Sequence, residues 1–213
     1  LLKKNIIAKL KINKKKFIYL ISPNKISNSF YKNLKLVLKT GKVSFFQLRL
    51  KNNSIKKKII IGKKIKNICK KNKVKFIIND DPLLALKLNA DGCHLGKKDM
   101  NINIAKKILG KKIIGITCHN SINLAKKAIK AKADYIAFGA FNQSKTKKTK
   151  HVASVKILNK VKKFTKTPIV AIGGINADNY KNLLLNNANF LAISGYIWKN
   201  KKYKPLQAIE RLK

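Results

Sequence analysis

Eight short apolar runs recur along the chain, separated by longer stretches with helical periodicity. They are FIYLIS from Phe17, VSFFQL from Val43, KFIIN from Lys75, DGCHLG from Asp91, IIGIT from Ile113, YIAFG from Tyr135, IVAIGG from Ile169 and FLAISG from Phe190. Each is rich in Ile, Val and Phe without strict alternation, which predicts strands covered on both faces. Between them, SINLAKKAIKAKA from Ser121 and ADNYKNLLLNNA from Ala177 read as amphipathic helices. In the second, Asn176 and Asp178 are available as caps, and Tyr180, Leu183 and Leu184 form the apolar stripe. About eight such strand–helix units with no dividing linker predict an α/β fold, a single (β/α)8 TIM barrel over residues 17–213. An open doubly wound sheet is the alternative. Even turn spacing, and the lack of a Gly-rich dinucleotide fingerprint after the first run, favour the barrel.

At 213 residues the chain can bury one substantial core. Residues 1–16, LLKKNIIAKLKINKKK, form a basic N-terminal extension, predicted to be a helix packed on the domain. It has neither a continuous apolar region nor a small-residue cleavage site, so no signal peptide is read. No apolar run approaches the length of a membrane span. Three cysteines, Cys69, Cys93 and Cys118, are an odd number that fits a reducing cytosol better than a disulfide framework, which predicts a cytoplasmic protein.

Charge changes the picture in two ways. Fifty-one basic residues against seven acidic ones give a formal net charge of +44. The lysines are scattered along the whole chain rather than gathered in an arm or stripe. They read as a solvated coat with no specific nucleic-acid partner, one that would still attract small anionic substrates. The rare residues are more informative. Asp80, Asp81, Asp91 and Asp99 fall in one short stretch, FIINDDPLLALKLNADGCHLGKKDM, where strand ends are expected. Carboxylates gathered at strand ends suggest a bound Mg²⁺, which prefers oxygen ligands. Arg49 is one of only two arginines, and a site that keeps a planar fork amid so much Lys needs one.

Barrel chemistry collects at the C-terminal ends of the strands. There the sequence offers Gln47, Arg49 and Lys51, then Asn79 with Asp80, His94 with Asp99, and Thr117. Ser144, Thr146 and Lys147 follow the sixth run, Gly173 and Gly174 the seventh, and Ser194 and Gly195 the eighth. Gln47, Arg49 and Lys51 alternate, so all three share a strand face and could point into the mouth, where Arg and Lys would clamp an anion. Asp80 and Asp99 could hold Mg²⁺, or Asp80 could compete with Asp81 to cap a helix at Pro82 while Asp99 serves a turn. The hydroxyl-rich, cationic stretch Gln143 to Lys150 is either a phosphate-binding loop or a surface loop. Glycines at 173, 174 and 195 permit backbone N–H contacts to a phosphate, or plain turns. Cys93-His94 and Cys118-His119 invite a zinc reading, but consecutive strand residues face opposite ways, so only half of each pair could converge. His151 reads as surface.

Taken together, QLRLK from Gln47, FIINDDPLLAL from Phe76, ADGCHLGKKDM from Ala90, ADYIAFGAF from Ala133, KTK from Lys145 and VAIGGI from Val170 resemble the thiamine-phosphate synthase family in order and spacing. The resemblance runs from about Phe17 onward. It implies a barrel that joins hydroxymethylpyrimidine diphosphate to a thiazole phosphate, releasing pyrophosphate through a dissociative, Mg²⁺-assisted path. By the same resemblance Asp80 and Asp99 hold Mg²⁺, while Gln47 and Asn79 face the pyrimidine or its diphosphate. Arg49, Lys51, Thr117 and Lys147 contact diphosphate; Ser144, Thr146, Gly174 and Ser194 lie on the thiazole phosphate side. The implied partners are these two small molecules, with neither membrane nor specific nucleic acid, and a homo-oligomer is compatible with the class.

Two departures stand out. Where the family has HLGQ and an acid, this chain has Lys97 and Lys98 before Asp99. Where the sixth-strand loop carries Pro-Thr, it reads Gln143-Ser144. Neither removes a metal ligand. The competing readings are a thiazole tautomerase-like isomerase on the same barrel and a non-catalytic basic nucleic-acid-binding protein.

Overall fold

The computed structural model describes residues 16–142 and 153–213. The basic N-terminal extension up to residue 15, the loop residues Ser144, Thr146 and Lys147, and His151 lie outside the described residues. Within them, eight parallel strands close into a barrel in simple sequence order, with the last strand pairing with the first. The strands are β1 (Ile18–Ile21), β2 (Val43–Leu48), β3 (Lys75–Asn79), β4 (Gly92–Leu95), β5 (Ile113–His119), β6 (Tyr135–Gly139), β7 (Ile169–Ile172) and β8 (Phe190–Ile193). Every apolar run expected to form a strand does so.

The reason is visible in the burial. Alternate strand residues such as Tyr19, Phe45, Ile77 and Tyr135 fill the barrel interior. Their neighbours Leu20, Phe46, Ile78 and Ile136 pack under the surrounding helices. A strand with no solvent face has no polar alternation to show, so the runs read as continuous apolar segments.

The helices are α1 (Asn28–Lys39), α2 (Ile55–Lys71), α3 (Pro82–Lys87), α4 (Ile102–Leu109), α5 (Ile122–Lys130), α6 (Lys156–Lys162), α7 (Tyr180–Leu185), α8 (Gly195–Trp198) and α9 (Pro205–Glu210). Several begin on side-chain caps. Ser54, Asp81 and Ser121 accept from the backbone N–H groups of Lys57, Leu84 and Leu124 at 3.3, 2.9 and 3.2 Å. In α7 the expected stripe buries Tyr180 and Leu183. The expected Asp178 cap is a correction: Asp178 is exposed, and Asn176 instead accepts from the backbone N–H groups of Asp178 and Asn179.

Part of the lysine coat holds helix ends together. Lys106 on α4 donates to the carbonyls of Ala131 and Lys132 past the end of α5, at 2.6 and 2.8 Å. Lys42 donates to Ile209, Glu210 and Leu212 at the end of α9. Terminal helix carbonyls have no partner within the helix and favour a cation, so these ammonium groups cap neighbours across the barrel's outer layer. Burial pulls the Lys42 ammonium below its ordinary value, with Glu210 acting against that.

At the N-terminal face a repeated side-chain bond joins adjacent strands. Asp91, just before β4, accepts from the backbone N–H of Phe76 in β3 at 2.9 Å. Asp134, just before β6, accepts from Ile114 in β5 at 2.8 Å, and Asn189, just before β8, accepts from Ile169 in β7 at 2.9 Å. Each satisfies a strand-end N–H that the sheet leaves over. The sequence carries this as a repeat, Ala-Asp-Gly, Ala-Asp-Tyr and Ala-Asn-Phe at 90, 133 and 188.

Candidate active site at the barrel mouth

The C-terminal ends of β2 to β5 bring the predicted polar residues to one side of the barrel mouth. Gln47 is the deepest. Its side chain is 3% exposed and points inward, where its amide nitrogen donates to the Tyr19 hydroxyl at 3.1 Å. Strand β2 ends at Leu48, and the alternation expected to carry Gln47, Arg49 and Lys51 into the mouth on one face ends with it. Arg49 is half-buried at the rim: its backbone N–H donates to Ser22 Oγ at 2.9 Å, and its guanidinium donates to Asn24 at 3.4 Å. Lys51 is exposed on the following turn. It lines a cleft of about 240 Å³ with Lys58, Asn79, Asp80, Asp81 and Leu84. The three are therefore near neighbours at different depths.

Asn79 closes β3, and Asp80 follows with φ of 66°, a left-handed turn that aspartate tolerates better than most residues. The backbone N–H of Asp80 donates to the His94 carbonyl at 2.8 Å, which fixes the turn against β4. Asp99 is held from the other side. The Gly96 N–H donates to its Oδ2 at 2.6 Å, closing a tight turn whose tip is formed by the exposed Lys97 and Lys98.

The two carboxylates interact. Burial, with the adjacent Asp99 carboxylate, pushes the Asp80 carboxyl up to about 6, while Lys51 and Arg49 pull it down. These effects place Arg49, Lys51 and Asp99 within electrostatic reach of Asp80.

The carboxylates of the remaining acids of that stretch are engaged in other bonds. Asp81 caps α3 and Asp91 bonds Phe76 and Lys75 on the opposite face of the barrel, the Lys75 contact being 2.8 Å. The four-aspartate cluster is thus a pair at the mouth plus two structural residues. Capping falls to Asp81, which leaves Asp80 for the site. No group of three or more His, Cys, Asp or Glu capable of holding a metal occurs among the described residues. A paired carboxylate does fit Mg²⁺, which takes one or two carboxylates and completes its shell from water and substrate phosphate.

Below this rim lies a buried polar chain that the sequence did not signal. The Tyr19 and Tyr135 hydroxyls are 2.7 Å apart, Tyr135 Oη is 2.9 Å from His94 Nδ1, and His94 Nε2 is 2.7 Å from the Thr117 hydroxyl. The His94 and Tyr135 rings stack at 5.6 Å with an interplanar angle of 14°. Burial lowers the imidazole to about 4, with Asp99 acting against that, so the ring is neutral near neutrality. Burial likewise raises both phenols, which stay protonated. Cys93 and Cys118 face away into the helix layer, in keeping with the split expected of adjacent strand residues.

Across the mouth, Gly173 and Gly174 have φ of 106° and 60°, which glycine adopts without strain. A Cβ at Gly173 would meet Ala140 Cβ at 2.4 Å. The Gly174 carbonyl accepts from the Asn179 amide at 2.9 Å. Ser194 donates to the Ser22 carbonyl at 3.2 Å, tying β8 to the end of β1. These residues form the opposite rim from Asp80 and Asp99.

The chain is similar over most of its length to known proteins of one family. A family model described as thiamine monophosphate synthase matches residues 18–197. The thiamine-phosphate synthase of Pelagibacter ubique is 69% identical over 204 residues, covering 95% of this chain and 98% of that protein. The thiamine-phosphate synthase of Erythrobacter litoralis is 38% identical over 196 residues, covering 90% and 92%. The solved structure of thiamine phosphate pyrophosphorylase from Pyrococcus furiosus superposes with a TM-score of 0.83 at 28% identity, covering 96% of this chain and 95% of that one.

Proposed function

The chain belongs to the thiamine monophosphate synthase family, and on that footing we propose that it condenses 4-amino-2-methyl-5-hydroxymethylpyrimidine diphosphate with 4-methyl-5-(2-phosphoethyl)thiazole. The products are thiamine phosphate and pyrophosphate. One observation carries the assignment of the site: Asp80 and Asp99 interact at the mouth with Arg49 and Lys51 within electrostatic reach. Two carboxylates held together among cations suit a metal–diphosphate group, which supplies charge of both signs.

In this reading Asp80 and Asp99 hold Mg²⁺, which supplies neutralisation of the charge that collects on the diphosphate. Arg49 and Lys51 take up charge on the same group, the guanidinium through its planar fork. Thr117 donates a hydrogen bond to it from β5. Gln47 and Asn79 orient the pyrimidine or its diphosphate. Gly174 and Ser194 hold the thiazole phosphate on the far rim, with Ser144, Thr146 and Lys147 serving the two phosphate groups from the sixth-strand loop.

The bond between the pyrimidine methylene carbon and the diphosphate oxygen breaks first, and its electron pair leaves with the diphosphate. The thiazole nitrogen lone pair then forms the new C–N bond. Little covalent work falls to the protein. Its contribution is positioning and charge stabilisation away from bulk water. A cytosolic setting belongs to the same proposal, and the three buried free thiols suit a reducing compartment. A tautomerase reading would leave the interacting carboxylates without a task.

Single-turnover mixing of the two substrates, with Mg²⁺ or with chelator, tests this. Thiamine phosphate and pyrophosphate formed only with Mg²⁺ are expected. Folded protein that yields neither product would overturn the assignment and direct attention to Lys97 and Lys98 beside the metal pair.

A further inference from the structure

The buried chain beneath the mouth has a direction. Gln47 donates through its amide nitrogen to Tyr19. With that end fixed, the remaining protons can be counted. If His94 carries its proton on Nε2, Tyr19 donates to Tyr135, Tyr135 donates to Nδ1, and Nε2–H donates to Thr117. Each hydrogen bond from Gln47 to Thr117 then has one donor and one acceptor. If His94 instead carries its proton on Nδ1, both His94 and one tyrosine donate towards the same pair of oxygens. One phenolic proton is then left inside the barrel with no acceptor among the described residues, at positions 2% and 1% exposed. Unsatisfied buried donors are costly, so the first arrangement dominates.

We propose that His94 is a positioning residue: the one-way chain Gln47–Tyr19–Tyr135–His94–Thr117 holds its Nε2–H tautomer and makes the Thr117 hydroxyl an obligate donor into the mouth. Thr117 already accepts from His94, so its single proton has only the half-exposed side of β5 to serve. An anionic group above it is the natural acceptor. The chain thereby pre-aims one hydrogen bond at the place where negative charge grows, without reorganisation during the reaction. The inference rests on the diphosphate reading of the mouth. Gly115 makes the path possible, because its lack of a side chain admits the Tyr135 ring across the barrel.

The direct test is the tautomer. Long-range ¹H–¹⁵N correlation spectra of the full-length protein, with the His94 signals identified by their loss in His94→Gln, should show a proton on Nε2 at neutral pH. A proton on Nδ1 would mean that the chain runs the other way, with Thr117 donating downward, and would overturn the proposal. This readout needs no turnover, so it separates failure here from failure of the synthase reading.

Kinetics supply the second arm. His94→Leu should lower kcat about tenfold, the scale of one lost hydrogen bond in the transition state, with little change in KM. In a Thr117→Val background the same change should cost nothing further, and His94→Gln, whose amide can still donate to Thr117, should restore most of the rate. Independent, additive losses at 94 and 117 would show that His94 does not act through Thr117.

Discussion

The ring of Tyr135 occupies the space left by the absent side chain of Gly115: a Cβ there would stand 1.9 Å from Tyr135 Cζ. The contact links packing to the site, because the same ring carries the hydroxyl between Tyr19 and His94. Gly115→Ala should therefore destabilise the fold by about 1–3 kcal/mol, as overpacked cores do. For a chain of this size, melting would fall by about 2–4 °C per kcal/mol. Calorimetry showing an unchanged melting temperature would mean that the ring moves aside freely.

The strand-end bonds at the opposite face should affect stability and spare chemistry. Asp134→Ala removes the acceptor of the buried Ile114 N–H. An unmet buried donor costs about 1–3 kcal/mol. Urea unfolding should show that loss, while turnover per folded molecule stays at the parental value. A specific loss of turnover would tie this face to the mouth.

Asp80 gives the protein a pH-dependent weakness. Its folded value of about 6 exceeds the ordinary 3.8, so between them the folded state keeps a proton that the unfolded chain has released. Stability therefore falls as pH rises through that window, and the cost is complete above about 6. Asp80→Asn should raise the melting temperature of metal-free protein above that pH and leave it nearly unchanged below 3.8.

His94 contributes the opposite slope. Held neutral down to about 4, it costs stability as pH falls from 6.5 through that value. With the Asp80 slope removed, the Asp80→Asn protein should gain stability with rising pH across this range. A flat profile would show that the imidazole is not desolvated as the structure implies.

Asp99→Ala should abolish Mg²⁺-dependent turnover in a protein that still folds. Asp99→Asn keeps an acceptor for the Gly96 N–H and should fail equally, which separates loss of the charge from loosening of the turn. Activity retained by either variant would remove Asp99 from the metal site.

Arg49→Lys should lower the rate about tenfold or more, because an ammonium cannot reproduce a two-pronged clamp. Parental kinetics would show that position 49 needs only a positive charge.

The strands were legible because every barrel strand is buried on both sides, so burial alone writes a continuous apolar run. The Asp81 cap before Pro82 was legible because a helix start is a local event, settled within four residues. The rim residues Gln47, Arg49, Asn79, Asp80, Asp99 and Thr117 could be placed near one another once eight units were recognised, since strand ends in a closed barrel converge.

What the local pattern could not supply was partnership and depth. Asp91 and Asp80 look alike in sequence, yet one precedes a strand and the other follows one, which sends them to opposite faces of the barrel. The Ala-Asp and Ala-Asn repeat ahead of β4, β6 and β8 was the available signal for that difference. No such signal marks His94, whose partners Tyr135 and Thr117 lie 41 and 23 positions away. Their contact exists only because the barrel closes and Gly115 leaves room inside it. Local chemistry along the chain determined which residues form strands, caps and the rim; long-range packing decided which of them touch, because a hydrogen bond depends on positions set by the whole closed sheet.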